Sequence, residues 1–263
     1  MPPPRLETAV RPRFGPDALV VRLPGWVDLI GDPDSGGDGL LVTLAVESRV
    51  AEPGRPDPEE AVAVQAVLVD GRSGVIRPLS LGRGDVAALV IDSGVRPPHA
   101  DRDRAIRRAE CLEAARTLGK QSLRDVDENL WRRWHDELPE MLHRRAVHVR
   151  GEHARTLEFA SAIDRGDWRH AGRLMLASQQ SLIDDFEVSC AAVDTLWSLA
   201  SAQPGVFGCR RAGGGFAGQV VAIVDAGSAR EIVATVSDAY RRDTGRLPGW
   251  CVAAPVSQRS VEP

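Results

Sequence analysis

The sequence predicts an α+β protein of one large or two small domains, and three observations carry that expectation. The 263 residues are 43% apolar and 27% charged, enough to bury a sizeable core. The first half reads as short apolar runs broken by Gly, Pro and Asp clusters. The second half reads as long helical periods interrupted by short strands, a pattern that implies a sheet covered by helices on one face.

Taken in order, residues 1–17 are expected to be a disordered tail, because the first 16 hold five prolines and no hydrophobic period to offset the entropy of ordering. Residues 18–92 are expected to form a β-rich N-terminal unit. Its strands are Leu19–Leu23, Val27–Ile30, Leu40–Val46, Val64–Val69 and Ala87–Ile91, with turns at 32–39 and 70–74 and a Pro-rich solvated connection at 51–60. From residue 93 to 263 helices dominate. Ala105, Ile106, Ala109, Leu112 and Ala115 fall at helical spacings that end at Gly119. Leu138–Arg165 fits a long helix whose apolar face is Leu142, Ala146, Val149, His153, Leu157, Ala160 and Ile163. Two more helices read from Trp168 to Leu182 and from Asp184 to Ala202, the second capped by Asp184 and Asp185. A strand–loop–strand segment at 205–225, a helix at Ala229–Arg242 and a strand at Trp250–Ala254 complete the chain.

Charge and cysteine content narrow the function. Thirty-three basic against 37 acidic residues, without a block of like charge, predict no nucleic-acid partner. The absence of a long apolar run, and prolines where a leader would need an apolar core, predict no membrane association and a cytoplasmic protein. Cys111, Cys190, Cys209 and Cys251 are too scattered for a zinc pattern, so no metal site is expected and the thiols are read as small apolar groups.

Four segments carry a family resemblance. LPGWVDLIGDPDSGGDG resembles the N-terminal signature of the galactokinases, a branch of the GHMP superfamily of small-molecule kinases, whose pattern is A-P-G-R-x-N-L-I-G-E-H-x-D-Y-x-x-G. RAIRRAECLEAARTLG, with Arg107, Arg108 and Cys111, is similar to the middle of that family, and RAVHVRGEHART and GCRRAGGGFAGQVVAIV to its C-terminal domain. Nearly everything from Arg22 to Val256 follows in order. The resemblance implies a GHMP-kinase-like fold with a truncated N-terminal β unit (18–92) and a ferredoxin-like C-terminal α+β domain (93–263). Its activity would be phosphoryl transfer from ATP to a sugar, with Mg as cofactor. Arg in place of nearly every Lys, Lys120 being the only one, fits a GC-rich bacterial coding sequence.

Departures from the pattern redirect that expectation. Between Val50 and Val64 this sequence has only a short Pro-rich connection, where the family has its G-L-S-S-S-A phosphate loop and the segment supplying the catalytic Asp. Phosphoryl transfer rests on positioning and charge neutralisation, so losing the cradle removes its largest contribution. Trp26 stands where the family has the Arg beside the reacting centre. Asp32-Pro33 replaces its Glu-His pair, Ser35 (or, one residue out of register, Asp34) its sugar-binding Asp, and Arg104 its sugar-contacting Tyr.

The candidate ligand loop is therefore Asp32, Asp34, Ser35 and Asp38, with His99 and Arg104 from the polar segment after Pro98; the carboxylates of Asp32, Asp34 and Asp38 could take Mg²⁺ or a polyol, and the same residues suit plain turn chemistry. The glycine-loop candidates are Gly213, Gly214, Gly215 and Gly218, which could hold an anion with Arg210 and Arg211 or simply allow close backbone approach. No catalytic residue can be nominated. Three functions follow in order: a silent binding, dimerising or regulatory module of galactokinase type, a pseudokinase of carbohydrate metabolism that takes a small polar metabolite; a remodelled enzyme acting on a sugar- or cyclitol-like metabolite; and a residual ATP-dependent sugar kinase. A homodimer is expected in each, since a truncated sheet leaves uncovered edges.

Overall fold

Strand β5 (Val86–Asp92) sets the architecture, because every residue from Val86 to Ile91 is buried. Val86, Ala88 and Val90 point into one apolar cluster, and Ala87, Leu89 and Ile91 into another. A strand with two apolar faces belongs in the middle of a layered structure. The computed structural model describes residues 26–32, 38–46, 62–81, 85–96, 99–212 and 218–255. The expected tail, the strand at 19–23 and the connection at 51–60 lie outside them.

One sheet gathers β1 (Trp26–Gly31), β2 (Leu40–Val46), β3 (Val62–Asp70), β4 (Ile76–Leu79), β5, β6 (Val206–Ala212), β7 (Gln219–Asp225) and β8 (Gly249–Pro255). Its order is β1-β2-β3-β8-β5-β7-β6, with β4 paired to the C-terminal half of β3. All pairings are antiparallel except that of β3 with β8. Residues from both sides of position 92 thus build a single sheet. Its two ends, β1 and β6, also touch, so the sheet is strongly curled.

Helices α3 (Glu140–Asp164) and α4 (Trp168–Asp184) pack Phe159, Ile163, Leu174 and Met175 against one face of the sheet, together with Leu29, Val42 and Leu44. Helices α5 (Ala191–Ser201) and α6 (Ala229–Thr244) cover the other face through Leu196, Ile232 and Val236. The sheet is therefore covered on both faces where the sequence predicted one. A third cluster joins α1 (Ala100–Thr117) to the N-terminal half of α3 through Cys111, Ala115, Leu142 and Val149. Burial pushes the Cys111 and Cys209 thiols upward and holds Cys251 at about 11, so these cysteines pack as neutral groups.

Local chemistry places the ends. Asp127 accepts from Leu130 N–H to cap α2 (Glu128–Trp134), and Asp167 accepts from His170 N–H to cap α4. Gly245, at φ 72°, stops α6. At the crossing of α4 and β6, Gly172 and Gly208 bring two backbones together; a Cβ on Gly172 would lie 1.9 Å from the Phe207 carbonyl oxygen.

Three sequence expectations need correcting. Asp184 and Asp185 do not open a helix: Asp184 ends α4 and Asp185 follows it. Ala105, Ile106 and Ala109 are exposed, because α1 meets the core one turn later, through Cys111, Ala114 and Ala115. Leu157 is also exposed, since α3 crosses from the third cluster to the first and presents a polar middle between them. Among the described residues no helix is long and apolar enough to cross a membrane.

Candidate functional site

The loop from β1 to β2 begins at Gly31, which has a φ of +117° and is pressed against β2. A Cβ on Gly31 would lie 2.1 Å from the Leu40 carbonyl oxygen, so there is no room for a side chain. Asp32 follows and is buried, its N–H donating to Leu40 O at 3.3 Å. Asp38 closes the described part of the loop, accepting from Arg72 at 2.6 Å. Arg72 also donates to Asp125 at 2.7 Å, and Arg124 donates to both oxygens of Asp70 and to Asp38 O. Five charged side chains thus tie the start of β2 to the β3–β4 turn and to the short helical turn at Leu123–Asp125. The Arg124 hydrogen bond holds the Asp70 carboxyl far below its usual range.

These elements frame a cleft of about 170 Å³. Leu40, Leu123, Val126 and Val149 form its apolar part, and Asp32, Asp38, Arg124, Arg150 and His153 supply its polar groups. His153 is therefore half-buried in a polar cleft, where its helical spacing predicted an apolar core position. Burial, followed by the Arg124 charge, pushes its pKa down, so its imidazole is neutral at pH 7 and able to accept a hydrogen bond.

Beneath the cleft lies a buried polar network that sequence reasoning passed over. Glu152 of α3 is fully buried and accepts at Oε1 from the Gly31 N–H (3.1 Å) and the Ser178 hydroxyl (2.6 Å). Arg155 donates to its Oε2 at 2.9 Å, and the Arg210 guanidinium stands 3.4 Å from Oε1. Burial alone would raise the Glu152 carboxyl, but the Arg210 charge first, with Arg155 and the Ser178 hydrogen bond, outweighs it and holds it at about 2. Burial does the reverse to His148, pushing it down to about 3. Ser181 donates its hydroxyl proton to Asp185, so His148 Nδ1 carries the hydrogen it shares with Ser181 Oγ at 2.9 Å. The signal for this network was a second stripe on α3: Arg145, His148, Glu152, Thr156 and Phe159, all buried at helical spacing.

The structure brings Asp32 and Asp38 to one cleft. His99 is exposed at the start of α1, and Arg104 lies one to two turns further on; neither lines the cleft. Asp34, Ser35, Gly213, Gly214 and Gly215 lie outside the described residues. Gly218 takes the close-approach role: its carbonyl accepts from Ser93 N–H, and a Cβ there would lie 2.1 Å from Val95 O. Among the described residues no group of three or more His, Cys, Asp or Glu is arranged to hold a metal ion.

Comparison with known proteins adds descent to this geometry. Residues 159–242 match the family described as "GHMP kinases C terminal". The chain is 41% identical over 175 residues to galactokinase from Homo sapiens, covering 66% of this chain and 45% of that protein. It is 43% identical over 198 residues to galactokinase from Chloroflexus aggregans, covering 73% and 50%. The solved structure of Lactococcus lactis galactokinase complexed with galactose superposes with a TM-score of 0.67 at 26% identity, over 73% of this chain and 51% of that one. The chain spans about half the length of the relatives it matches.

Proposed function

The chain belongs to the galactokinase-related GHMP kinases, and from that premise we propose that it is a binding module for a small polar, sugar- or cyclitol-like metabolite that does not transfer phosphate. The cleft carries this reading. Its carboxylates Asp32 and Asp38 and its neutral His153 suit hydroxyl groups, which need hydrogen-bonding partners at fixed positions. Its cations are already engaged within the protein, Arg124 with Asp70 and Arg150 with Glu128, whereas phosphoryl transfer needs cations free to neutralise the moving group. The sequence agrees, since it has neither the family's phosphate loop nor a Walker-type G-x-x-x-x-G-K. A remodelled enzyme using the Asp loop with His99 and Arg104 finds less support, because among the described residues His99 and Arg104 do not line the cleft.

Calorimetric titration separates a module from a residual kinase. ATP with Mg is expected to give no saturable binding tighter than about 100 μM, roughly 5.5 kcal/mol, and a tighter isotherm would restore the kinase reading. In a thermal-shift panel of sugars, sugar phosphates, cyclitols and small carboxylates, a stabilising ligand is expected whose effect disappears in Asp32→Ala. Free galactose is expected to give no shift, since Trp26, Pro33 and Arg104 stand where the family has its sugar contacts. A panel without a single Asp32-dependent shift would refute the module.

We also propose a homodimer. Among the described residues β1 pairs with β2 alone, and Val75 and Ile76 of the β3–β4 hairpin are exposed. Light scattering at micromolar concentration should give twice 28.4 kDa; a single-chain mass with a cooperative thermal transition would refute it.

A further inference from the structure

We infer that Glu152 is a positioning residue that locks the Asp32 loop to the strand leading into the glycine run, although it does not itself line the cleft. The inference rests on the reading of the Asp32 cleft as a binding site and names what holds that site in register.

The geometry joins two segments that are far apart in sequence. On one side, Glu152 Oε1 accepts from the backbone N–H of Gly31, the residue before Asp32. Because Gly31 sits at a φ reserved for glycine and is pressed against Leu40, its amide has a single orientation to offer, and a hydrogen bond there fixes where Asp32 leaves β1. On the other side, the same oxygen faces the Arg210 guanidinium, two residues before the end of β6. Arg210 is itself buried, and the Asp28 and Asp32 charges act on it together with that of Glu152. Ser178 on α4 and Arg155 on α3 complete the shell of the carboxylate, so Glu152 cannot turn toward one side without abandoning the other.

Engagement of both Glu152 oxygens is what makes the placement of the carboxylate specific. A buried carboxylate accepting from a backbone amide, a hydroxyl and guanidinium groups has one low-energy arrangement, and a loss on either side exposes the remainder to an unpaired buried charge. The two ends should therefore loosen together. A residue that merely filled space would affect its own neighbours and leave the opposite end unchanged.

Hydrogen exchange on the full chain, resolved by residue, tests this. Glu152→Gln keeps the volume and removes the charge that holds Arg210 and Arg155. Its amides at Gly31 and Asp32 and at Arg210–Ala212 are expected to exchange about tenfold faster than in the wild type, with the Gly74 amide of the β3–β4 turn unchanged. Arg210→Lys keeps a charge but shortens its reach to Glu152, and it should accelerate Gly31, whose amide donates to Glu152; it also serves if Glu152→Gln does not fold. Acceleration on one side only, or equal acceleration everywhere including Gly74, would overturn the coupling. A ligand from the thermal-shift panel should bind Glu152→Gln about tenfold more weakly. A panel without ligands would remove the proposed function and leave the exchange result to decide the coupling by itself.

Discussion

Between pH 6.5 and about 3 the protein should lose roughly 1 kcal/mol of stability per pH unit, chiefly through one buried histidine. His148 is held neutral by burial, with the Arg155, Arg210 and Arg211 charges acting against the opposing charge of Glu152, and its ring stacks on Phe186 at 4.4 Å. In the unfolded chain it takes up a proton as the pH falls through 6.5, whereas in the folded protein it does so only near 3. The unfolded state therefore binds more protons over that interval, and acid favours unfolding. Glu152 adds to the loss further down. Its folded value of about 2 lies below the ordinary 4.5, so its stabilisation is complete above 4.5 and disappears as the pH falls toward 2. Chemical denaturation from pH 7 to 4.5 provides the measurement. His148→Asn, whose amide can still donate to Ser181, should flatten the slope between pH 5 and 6.5; an unchanged slope in that variant would show that other groups produce it.

The second large effect is steric. Gly172→Ala should destabilise the protein by about 3 kcal/mol and lower its melting temperature by on the order of 10 °C. Alanine favours a helix over glycine by about 1 kcal/mol, but here its Cβ would lie 1.9 Å from Phe207 O and 2.8 Å from Gly208 N, both backbone atoms that only a shift of α4 against β6 can clear. Gly151→Ala gives the contrast, because its Cβ would meet only the flexible end of Arg155, at 2.8 Å. That variant should lose much less stability than Gly172→Ala, since only the Arg155 guanidinium, which also holds Glu152, has to shift. Melting of Gly172→Ala within about 2 °C of the wild type would show that the crossing relaxes at little cost.

The strands that could be read from the sequence are those whose apolar runs are bounded by turn residues. Leu40–Val46 matches β2 residue for residue, and the hairpin around the glycine run appears as β6 and β7. Strand β4 escaped because Ile76–Leu79 has four residues, one a proline and three exposed, and exists only through its register with β3. The site was legible in part. Asp32 and Asp38 stood out because acidic residues crowd a glycine-rich turn, but what they face depends on Arg124 and Arg72, which are distant in sequence and without local pattern. Glu152 hid for a different reason: helical spacing marks the buried face of α3, yet spacing read through apolar residues alone skips a carboxylate on that face.

The position of β8 bears on how the chain acquires its structure. The strand formed by Gly249–Pro255 lies between β3 and β5, joining two sets of strands that otherwise share no ladder in the sheet order. During synthesis β1 to β4 can zip into a meander as they emerge, and β5 to β7 can assemble with their helices. The two halves cannot become one sheet until residue 255 leaves the ribosome. The last of the described strands is thus the one that closes the middle, and until it arrives β3 and β5 each present a bare edge to chaperones and to other copies of the chain.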